Sequence, residues 1–322
     1  MNRRRFILLT AGAGTLAGLP GVLPRSLQRV ERKSRALGAE VSLVVYHPGR
    51  DVAEGALTAA FKALDDLENV LSLYRPDSQL CRLNHDGVLE RPHPDLVKVL
   101  RSAVDWSRLT DGAFDPTVQP LWNFYSKGGL PDSERLQAVR RFVDWKQVEV
   151  EAHRIRLGTG QSVTLNGIAQ GFAADRVRDV LRAHGIRYAL ANTGEFAALS
   201  HKPEGENWRI GIQHPRVPEA YVALAALDDR FLATSGDYET KFSEDFSTHH
   251  IFDPATGRSP TTLSSVTVIA PTGLEADALS TAIFVIGPDN GLRLAASRRG
   301  VEVLMVLKDG ELATTPNFPR VA

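Results

Sequence analysis

Residues 164–177 read TLNGIAQGFAADRV, and this stretch changes character in the middle. Its first residues complete a short apolar and β-branched run, 162–165, which predicts a strand. After Asn166 and Gly167 the pattern predicts a helix that continues to about His184. A helix that begins at a glycine-rich turn presents free backbone N–H groups and the positive end of its dipole, which suit an anion such as a phosphate. A tight connection between a strand and a helix explains the glycines equally well.

Upstream of this turn the chain alternates between regular elements and one irregular segment. Residues 35–46 (RALGAEVSLVVY) alternate and are rich in β-branched residues, which predicts the first strand. Asp51 and Glu54 form a capping pair before a long helix with one apolar face, and a second helix is predicted over 95–109. Residues 110–129 contain so many Gly and Pro that we expect a long loop, the kind of segment that often carries function.

Short strands and two further helices are predicted in the rest of the chain. Thr272 and Glu275 form a capping box for a helix over 274–286, and another helix is expected near 289–299. Because strands and helices are interleaved irregularly rather than as βαβ repeats, we expect an α+β fold with mixed or antiparallel sheets. The candidate strands are 143–150, 154–158, 187–191, 208–213, 221–227, 231–234, 248–252, 264–270 and 301–307.

The composition is that of a globular protein with balanced charge. The 322 residues contain 38 Lys and Arg against 38 Asp and Glu, so the formal net charge is zero. A general nucleic-acid-binding protein would show a basic excess, so we expect no nucleic-acid partner. The single cysteine, Cys81, excludes an intrachain disulfide and a thiolate metal cluster, so any metal must be held by oxygen or nitrogen.

The first 24 residues, MNRRRFILLTAGAGTLAGLPGVLP, combine a basic start with a weakly apolar run. This order is typical of an export signal, and the RRRFI run at 3–7 fits the twin-arginine pattern. We therefore expect residues 1–30 to be a signal that directs the protein to the periplasm. An uncleaved anchor in the inner membrane remains an alternative, because the apolar run is almost long enough to span a bilayer.

Two groups of polar residues can carry chemistry. Asp277 and Thr281 lie four residues apart on the capped helix, so they can present two oxygens to one Mg²⁺ ion. The pair also has a purely structural explanation. The helix dipole favours an Asp near the start of a helix, and a Thr often bonds back to the backbone of its own helix. His249 and His250 are adjacent on a predicted strand and point to opposite faces, so at most one of them enters a given site. Asp115 and Glu195 look like exposed acids in loops.

Read in order, these segments resemble the ApbE family of FAD:protein FMN transferases from about residue 37 to 287. The motifs are LSLYRPDSQLCRLN at 71–84, DGAFDPTV at 111–118, NGIAQGFAADRV at 166–177, SGDYE at 235–239, HHIFDPATGRSP at 249–260 and ADALSTAIFVIG at 276–287. The resemblance implies one domain over 31–322 with a T-fold-like architecture. It also implies the Mg²⁺-dependent transfer of the FMN half of FAD to a threonine or serine hydroxyl of a target flavoprotein, with release of AMP.

The resemblance also implies roles for individual residues. Asp277 and Thr281 match the family's metal ligands, and Gly167 matches a position that completes the metal site through backbone oxygen. His250 matches a histidine that we expect to orient or deprotonate the acceptor hydroxyl. The positions that match contacts to the flavin nucleotide are Leu37, Tyr74, Ala113, Phe114, Asp115, Gln170 and Ile251.

The chain departs from the family pattern at a few positions. Thr164 stands where many relatives have an acid, and Gln170 stands where Lys or Glu is common, so its nucleotide contact would be uncharged. Together with the export signal, these features are similar to the branch associated with nitrous-oxide reduction, whose target is a membrane flavoprotein. Two alternatives stay open: an exported FAD carrier without transfer activity, and a Mg²⁺-dependent pyrophosphatase that splits FAD into FMN and AMP.

Overall fold

The structure is a computed structural model that describes residues 27–36, 38–128 and 133–321. Most of the predicted export signal, and Leu37, lie outside the described residues. The first strand begins at Gln28, so the expected domain boundary at residue 30 falls inside this strand. In the described ranges, none of the helices combines the length and the apolar character needed to cross a membrane.

The described residues form strands and helices that are interleaved along the chain. The strands are β1 (Gln28–Ala36), β2 (Ala39–His47), β3 (Val88–Glu90), β4 (Glu149–Val150), β5 (Arg154–Arg156), β6 (Tyr188–Asn192), β7 (Phe196–Leu199), β8 (Trp208–Gln213), β9 (Tyr221–Leu227), β10 (Phe231–Gly236), β11 (Leu263–Ala270), β12 (Glu302–Leu307), β13 (Leu312–Thr314) and β14 (Arg320–Val321). The helices are α1 (Arg50–Leu71), α2 (Gln79–Asp86), α3 (Pro94–Leu109), α4 (Gln119–Tyr125), α5 (Ser133–Arg140), α6 (Ala169–Ala183), α7 (Gly273–Ile286) and α8 (Pro288–Ala296).

An eight-stranded sheet with the order β1-β2-β6-β7-β10-β11-β12-β13 forms the centre of the fold. One face of it packs against the helices in the larger core, and the other face packs against the small sheet β14-β9-β8 in a second core. Strand β11 shows this arrangement directly, because all of its residues are buried. Val266 and Val268 belong to the helical core, whereas Ile269 belongs to the second one. The α+β prediction is confirmed, and the pairings between the described strands are antiparallel.

Helices α6 and α7 touch through two glycines. A Cβ atom placed on Gly171 would lie 2.1 Å from the backbone oxygen of Gly273, and one placed on Gly273 would lie 2.2 Å from the oxygen of Gly171. Real Cβ atoms do not approach backbone so closely, so both positions require glycine. The Gly171 N–H group donates to the Asp277 carboxylate on α7 at 2.9 Å.

The reciprocal contact comes from Asp175 on α6. Its two carboxylate oxygens accept from the N–H groups of Gly273 and Leu274, each at 2.9 Å, and so cap the start of α7. At the start of α7, the Thr272 hydroxyl accepts from Glu275 N–H at 3.2 Å, which confirms one half of the predicted capping box. The Glu275 carboxylate accepts from Arg298 at 2.5 Å, so the reciprocal bond to the Thr272 N–H group is not part of this cap. The first turns of the two helices therefore have a fixed relative position.

The long segment between β10 and β11, residues 237–262, is held to the sheet by an ionic cluster around a buried carboxylate. Asp237 is fully buried, and both of its carboxylate oxygens accept from Arg216 at 2.7 Å. Lys308 donates to the same carboxylate at 2.6 Å and to the backbone oxygen of Phe246 at 2.8 Å. The guanidinium of Arg216 also lies 4.0 Å from the centre of the Phe246 ring.

His249 anchors the same segment at a second buried point. Its Nε2 atom donates to the backbone oxygen of Pro260 at 3.0 Å, and its Nδ1 atom accepts from Ile251 N–H at 3.3 Å. Only the neutral ring can make both bonds, because one nitrogen must be an acceptor. Burial lowers the pKa of His249 to about 4.

Several sequence predictions differ from the structure. The strand predicted over 162–165 is not a strand, and the capping pair of Asp51 and Glu54 is wrong, because Gly49 precedes α1 and none of the described side chains caps this helix. Only Glu149–Val150 of the strand predicted over 143–150 is a strand.

The first strand, predicted over 35–46, is a hairpin of two strands because Gly38, with a φ of +76°, lies in the turn between β1 and β2. The predicted loop 110–129 contains a short 3₁₀ helix, Pro116–Val118, followed by α4. The strand predicted over 248–252 is wrong, because this segment makes only an isolated bridge between His249 and Lys241.

We expect Gly171→Ala to destabilise the protein by about 1–3 kcal/mol or more, since the added methyl group meets backbone that no side-chain rotation can move away. Gly55→Ala is the matched control, because Gly55 lies on the exposed side of α1 with no atom within 4 Å of its Cβ position. It should be neutral or stabilising by about 0.5–1 kcal/mol. Urea unfolding measures both, and equal stability of the two variants would contradict the helix contact.

We expect the stabilising contribution of His249 to be lost as the pH falls from about 6.5 towards 4. In this window an unfolded histidine binds a proton and the native one does not, so roughly 3 kcal/mol is lost by pH 4. The measurement is the free energy of unfolding of wild type minus that of His249→Gln, which does not titrate at this position. This difference should fall with pH, whereas a difference independent of pH would contradict the neutral ring.

The difference between the two proteins is needed because Asp115 acts in the opposite direction. Burial raises the pKa of Asp115 to about 6, so the native state binds this proton more tightly and its contribution is lost as the pH rises through the same window. Asp115 is present in both proteins and its contribution cancels in the difference.

Candidate functional site

A cavity of about 410 Å³ lies where the start of α6, the middle of α7, the end of β10 and the loops around residues 72–74, 113–119 and 239–252 meet. Ten of the predicted site residues line it, namely Tyr74, Ala113, Phe114, Asp115, Gly167, Gln170, His250, Ile251, Asp277 and Thr281. The remaining one, Leu37, lies outside the described residues, next to Gly38, which also lines the cavity. Residues up to about two hundred positions apart in sequence are thus brought together.

The three residues predicted to hold a metal, Gly167, Asp277 and Thr281, all line this cavity, and Gly167 packs against Thr281. A Cβ atom on Gly167 would lie 2.8 Å from the hydroxyl of Thr281 and 3.3 Å from the ring of Phe114. Only glycine therefore lets the backbone of the 164–168 turn approach α7 so closely. Asp277, 3% exposed, follows from the same face of α7 one turn earlier.

The charge of the cavity lining is acidic. Its described residues include four carboxylic acids, Asp115, Glu195, Glu239 and Asp277, and neither lysine nor arginine. Within the described ranges there is also no group of three or more His, Cys, Asp or Glu side chains placed to hold a metal. A metal in this cavity would therefore have at most two of these described side chains as ligands, and its other ligands would be of other kinds, such as hydroxyl and backbone oxygens.

The side chain of Asp115 stabilises the loop that carries it. Its Oδ1 atom accepts from the N–H and the hydroxyl of Thr117, at 2.7 and 2.6 Å, and its Oδ2 atom accepts from Trp145 N–H at 3.2 Å. The residue is 8% exposed, so the expectation of an exposed acid is wrong. The loop is further tied to the 164–168 turn, because Thr164 N–H donates to the backbone oxygen of Pro116 at 2.7 Å.

Gln170 and Glu195 both line the cavity, and the side chain of Gln170 packs against Gly194, the residue before Glu195. This glycine has a φ of +102°, and a Cβ atom on it would lie 2.6 Å from the side-chain nitrogen of Gln170. Glu195 is 3% exposed and accepts from Thr234 N–H at 3.1 Å. The sequence made Glu195 look like an exposed loop acid, but the pairing of β6 with β7 buries it.

The two adjacent histidines have different environments. His249 is fully buried in the anchor described above, whereas His250 lines the cavity. The Nδ1 atom of His250 lies 3.3 Å from the backbone oxygen of Thr240, and its N–H donates to the same oxygen at 3.0 Å. A carbonyl can only accept, so Nδ1 carries the proton and Nε2 is the basic nitrogen of the neutral ring. The prediction that at most one histidine enters the site is consistent with this placement.

Sequence reasoning missed several residues that line the cavity, among them Trp122, Thr234, Ser235, Glu239 and Thr240. The polar density of the SGDYE motif at 235–239 was a signal for Ser235 and Glu239, because such density exceeds what a turn requires. Nothing local marks Trp122, which reaches the cavity from α4 inside the predicted loop.

Comparison with known proteins gives a consistent result. The sequence profile of the ApbE family matches residues 37–305. A Treponema pallidum protein named FAD:protein FMN transferase is 32% identical over 94% of this chain and 90% of its own length. An Escherichia coli K12 protein of the same name is 32% identical over 80% of this chain and 78% of its own length.

Solved structures agree with the sequence matches. The crystal structure of the ApbE protein from Thermotoga maritima superposes with a TM-score of 0.81 at 30% identity, covering 91% of this chain and all of that one. The apo form of the flavinyl transferase ApbE from Pseudomonas stutzeri superposes with a TM-score of 0.78 at 31% identity, covering 90% of this chain and 94% of that one. By sequence and by fold, the chain belongs to the ApbE family.

Proposed function

We propose that this chain is an FAD:protein FMN transferase, the activity named for its relatives. In this reaction a threonine or serine hydroxyl of a target flavoprotein attacks the phosphorus of the FMN half of FAD. A P–O bond forms to the acceptor, the bond from this phosphorus to the bridging oxygen breaks, and AMP leaves with that oxygen. The hydroxyl proton passes to a base.

The observation that carries the proposal is the combination of a helix start, an oxygen set and an acidic lining in one cavity. FAD carries a pyrophosphate, and the start of α6, which lines the cavity, presents the positive end of a helix dipole to it. The described lining offers four acids and no lysine or arginine, so the protein alone does not neutralise that pyrophosphate. A divalent cation between the carboxylate and the phosphates supplies the missing positive charge.

We propose Mg²⁺ as this cation, held by Asp277, Thr281 and the backbone oxygen of Gly167. The three donors are all oxygen, which suits a hard cation that shares its coordination with substrate phosphates and water. When bound, Mg²⁺ stabilises the charge that develops on the phosphoryl group and on the leaving AMP. The Gly171 N–H group, 2.9 Å from the Asp277 carboxylate, fixes the direction of that ligand.

We propose His250 as the group that orients or deprotonates the acceptor hydroxyl. Its ring lines the cavity and its Nδ1 atom donates to the Thr240 backbone oxygen, so Nε2 is the basic nitrogen of the neutral ring. The segment that carries it is held at Asp237 and again at His249, the residue directly before His250. The rigid segment limits the positions that the imidazole can take.

The N-terminal pattern supports a proposal for the acceptor and for the location of the reaction. We propose that the residues before β1 are a twin-arginine export signal and that the protein acts in the periplasm on a membrane-associated flavoprotein. The RRRFI run at 3–7 and the apolar stretch after it support this proposal. The similarity to the nitrous-oxide branch points to the same kind of acceptor.

We expect the purified protein with FAD and Mg²⁺ to add FMN to a threonine or serine of its acceptor, detected by intact-protein and peptide mass spectrometry. A chelator should abolish the adduct. Asp277→Asn should reduce transfer by at least 100-fold, because the amide still accepts from Gly171 N–H but has lost the charge that holds the cation. Its melting temperature should stay near that of wild type.

The same experiment separates the alternatives. AMP release without an adduct indicates the pyrophosphatase, and tight FAD binding without AMP release indicates the carrier. Full transfer by Asp277→Asn would overturn the metal assignment.

We expect His250→Gln to lower the rate of transfer by about 10²-fold or more, the usual size of general acid–base effects, while FAD affinity changes little. His153→Gln is the matched control, because its ring is exposed in the β4–β5 turn, away from the cavity. Single-turnover kinetics measure the rate and flavin fluorescence measures the affinity. Equal rates for the two variants would remove His250 from the mechanism.

A further inference from the structure

Two hydroxyl groups, those of Ser280 and Ser235, connect the backbone of α7 to the hydroxyl of Thr281. The Ser280 hydroxyl donates to the backbone oxygen of Asp277 at 2.9 Å. The Ser235 hydroxyl, on β10, lies 2.7 Å from the Ser280 hydroxyl and 3.2 Å from that of Thr281. These four groups form a continuous chain that ends at the edge of the cavity, which Ser235 and Thr281 both line.

The direction of every hydrogen bond in this chain is fixed by proton counting. Each hydroxyl has one proton and can accept further bonds, whereas a carbonyl can only accept. The proton of Ser280 is used on the Asp277 carbonyl, so Ser235 must donate to Ser280. The proton of Ser235 is then used as well, so the Thr281 hydroxyl must donate to Ser235.

This direction decides what Thr281 presents to the cavity. Its proton points towards β10, so the lone pairs of its oxygen are directed elsewhere. A cation binds a hydroxyl oxygen through a lone pair and is repelled by the hydroxyl proton. A freely rotating Thr281 hydroxyl would often have to turn its proton away before the cation binds.

We propose that Ser235 and Ser280 are positioning residues that hold the Thr281 hydroxyl in the orientation in which it can bind the cation. The inference rests on the proposed Mg²⁺ site and deepens it. Ser235 acts directly on Thr281, and Ser280 acts through Ser235. Neither serine needs to contact the metal.

The test is metal affinity, measured without turnover. Purified protein saturated with FAD, in the absence of an acceptor, is titrated with Mn²⁺, which takes the same oxygen ligands as Mg²⁺, and the EPR signal of free Mn²⁺ is followed. We expect Ser235→Ala to weaken Mn²⁺ binding by about 10-fold, the lower end of the effect of residues that orient metal ligands. Ser235→Thr, which restores a hydroxyl, should recover most of the affinity.

Ser280→Ala tests the direction of the chain. Without its acceptor, the Ser235 proton is free to point to Thr281, whose own proton then turns towards the cavity. Mn²⁺ binding should therefore weaken even though Ser235 and Thr281 are both intact. Packing around Ser235 alone would not produce this loss.

Ser265→Ala is the matched control. Its hydroxyl is buried on β11 opposite Gly236 and has no hydrogen-bond partner among the described residues, so its removal should leave Mn²⁺ affinity unchanged. Circular dichroism establishes that each variant is folded. Wild-type affinity in both Ser235→Ala and Ser280→Ala, or an equal loss in Ser265→Ala, would overturn the inference.

Thr281→Val separates this inference from the proposed function. If Thr281→Val binds Mn²⁺ as wild type does, Thr281 is not a ligand, and the metal site of the proposed function fails together with the inference. If Thr281→Val weakens binding and the serine variants do not, the metal site stands and only the positioning role is lost.

Discussion

The contact of Gly171 with Gly273 brings the positive ends of two helix dipoles side by side, and the rest of the site is arranged around this constraint. Like ends repel, and the free N–H groups at both starts need acceptors. The two helices satisfy each other: Asp175 of α6 accepts two N–H groups at the start of α7, and Asp277 of α7 accepts from Gly171 in the first turn of α6. The same exchange that makes the contact stable also places Asp277 beside the 164–168 turn, where a cation and a pyrophosphate can be held together.

This arrangement explains how a chain with no net charge can bind an anionic dinucleotide. The described cavity lining is acidic, so in the proposed reaction the positive potential would come from helix ends and a cation rather than from basic side chains. A cation would place its positive charge next to the phosphates, so the protein surface would not need an excess of basic residues. Overall charge therefore says little about this ligand, although it was sufficient to argue against nucleic acid as a partner.

The sequence predicted those parts of the fold and of the site whose signals are local. The α7 cap depends on Thr272 and Glu275, which are three residues apart, and the structure has the Thr272 half of it. The other half is replaced by an ion pair of Glu275 with Arg298, a residue that is distant in sequence. The burial of Glu195 depends on the pairing of β6 with β7 and on Thr234, which no local pattern shows. The 248–252 segment has the composition of a strand, but the anchor of His249 to Pro260 holds it in an irregular path. Metal, nucleotide and acceptor assignments came from ordered motifs and not from periodicity.

The irregular path of the segment that carries His250 has a physical reason in its anchors. A strand would fix His250 through ladder hydrogen bonds, but here the chain leaves β10 at Gly236 and is fixed by the side chain of Asp237. Arg216 donates to both carboxylate oxygens of Asp237, and Lys308 donates a further hydrogen bond to the same carboxylate. An apolar residue in this position could be buried with less loss of solvation, but it would not set an orientation. The ionic cluster fixes the start of the segment and His249 fixes it again directly before His250. Between and beside these two points, Glu239, Thr240 and His250 line the cavity.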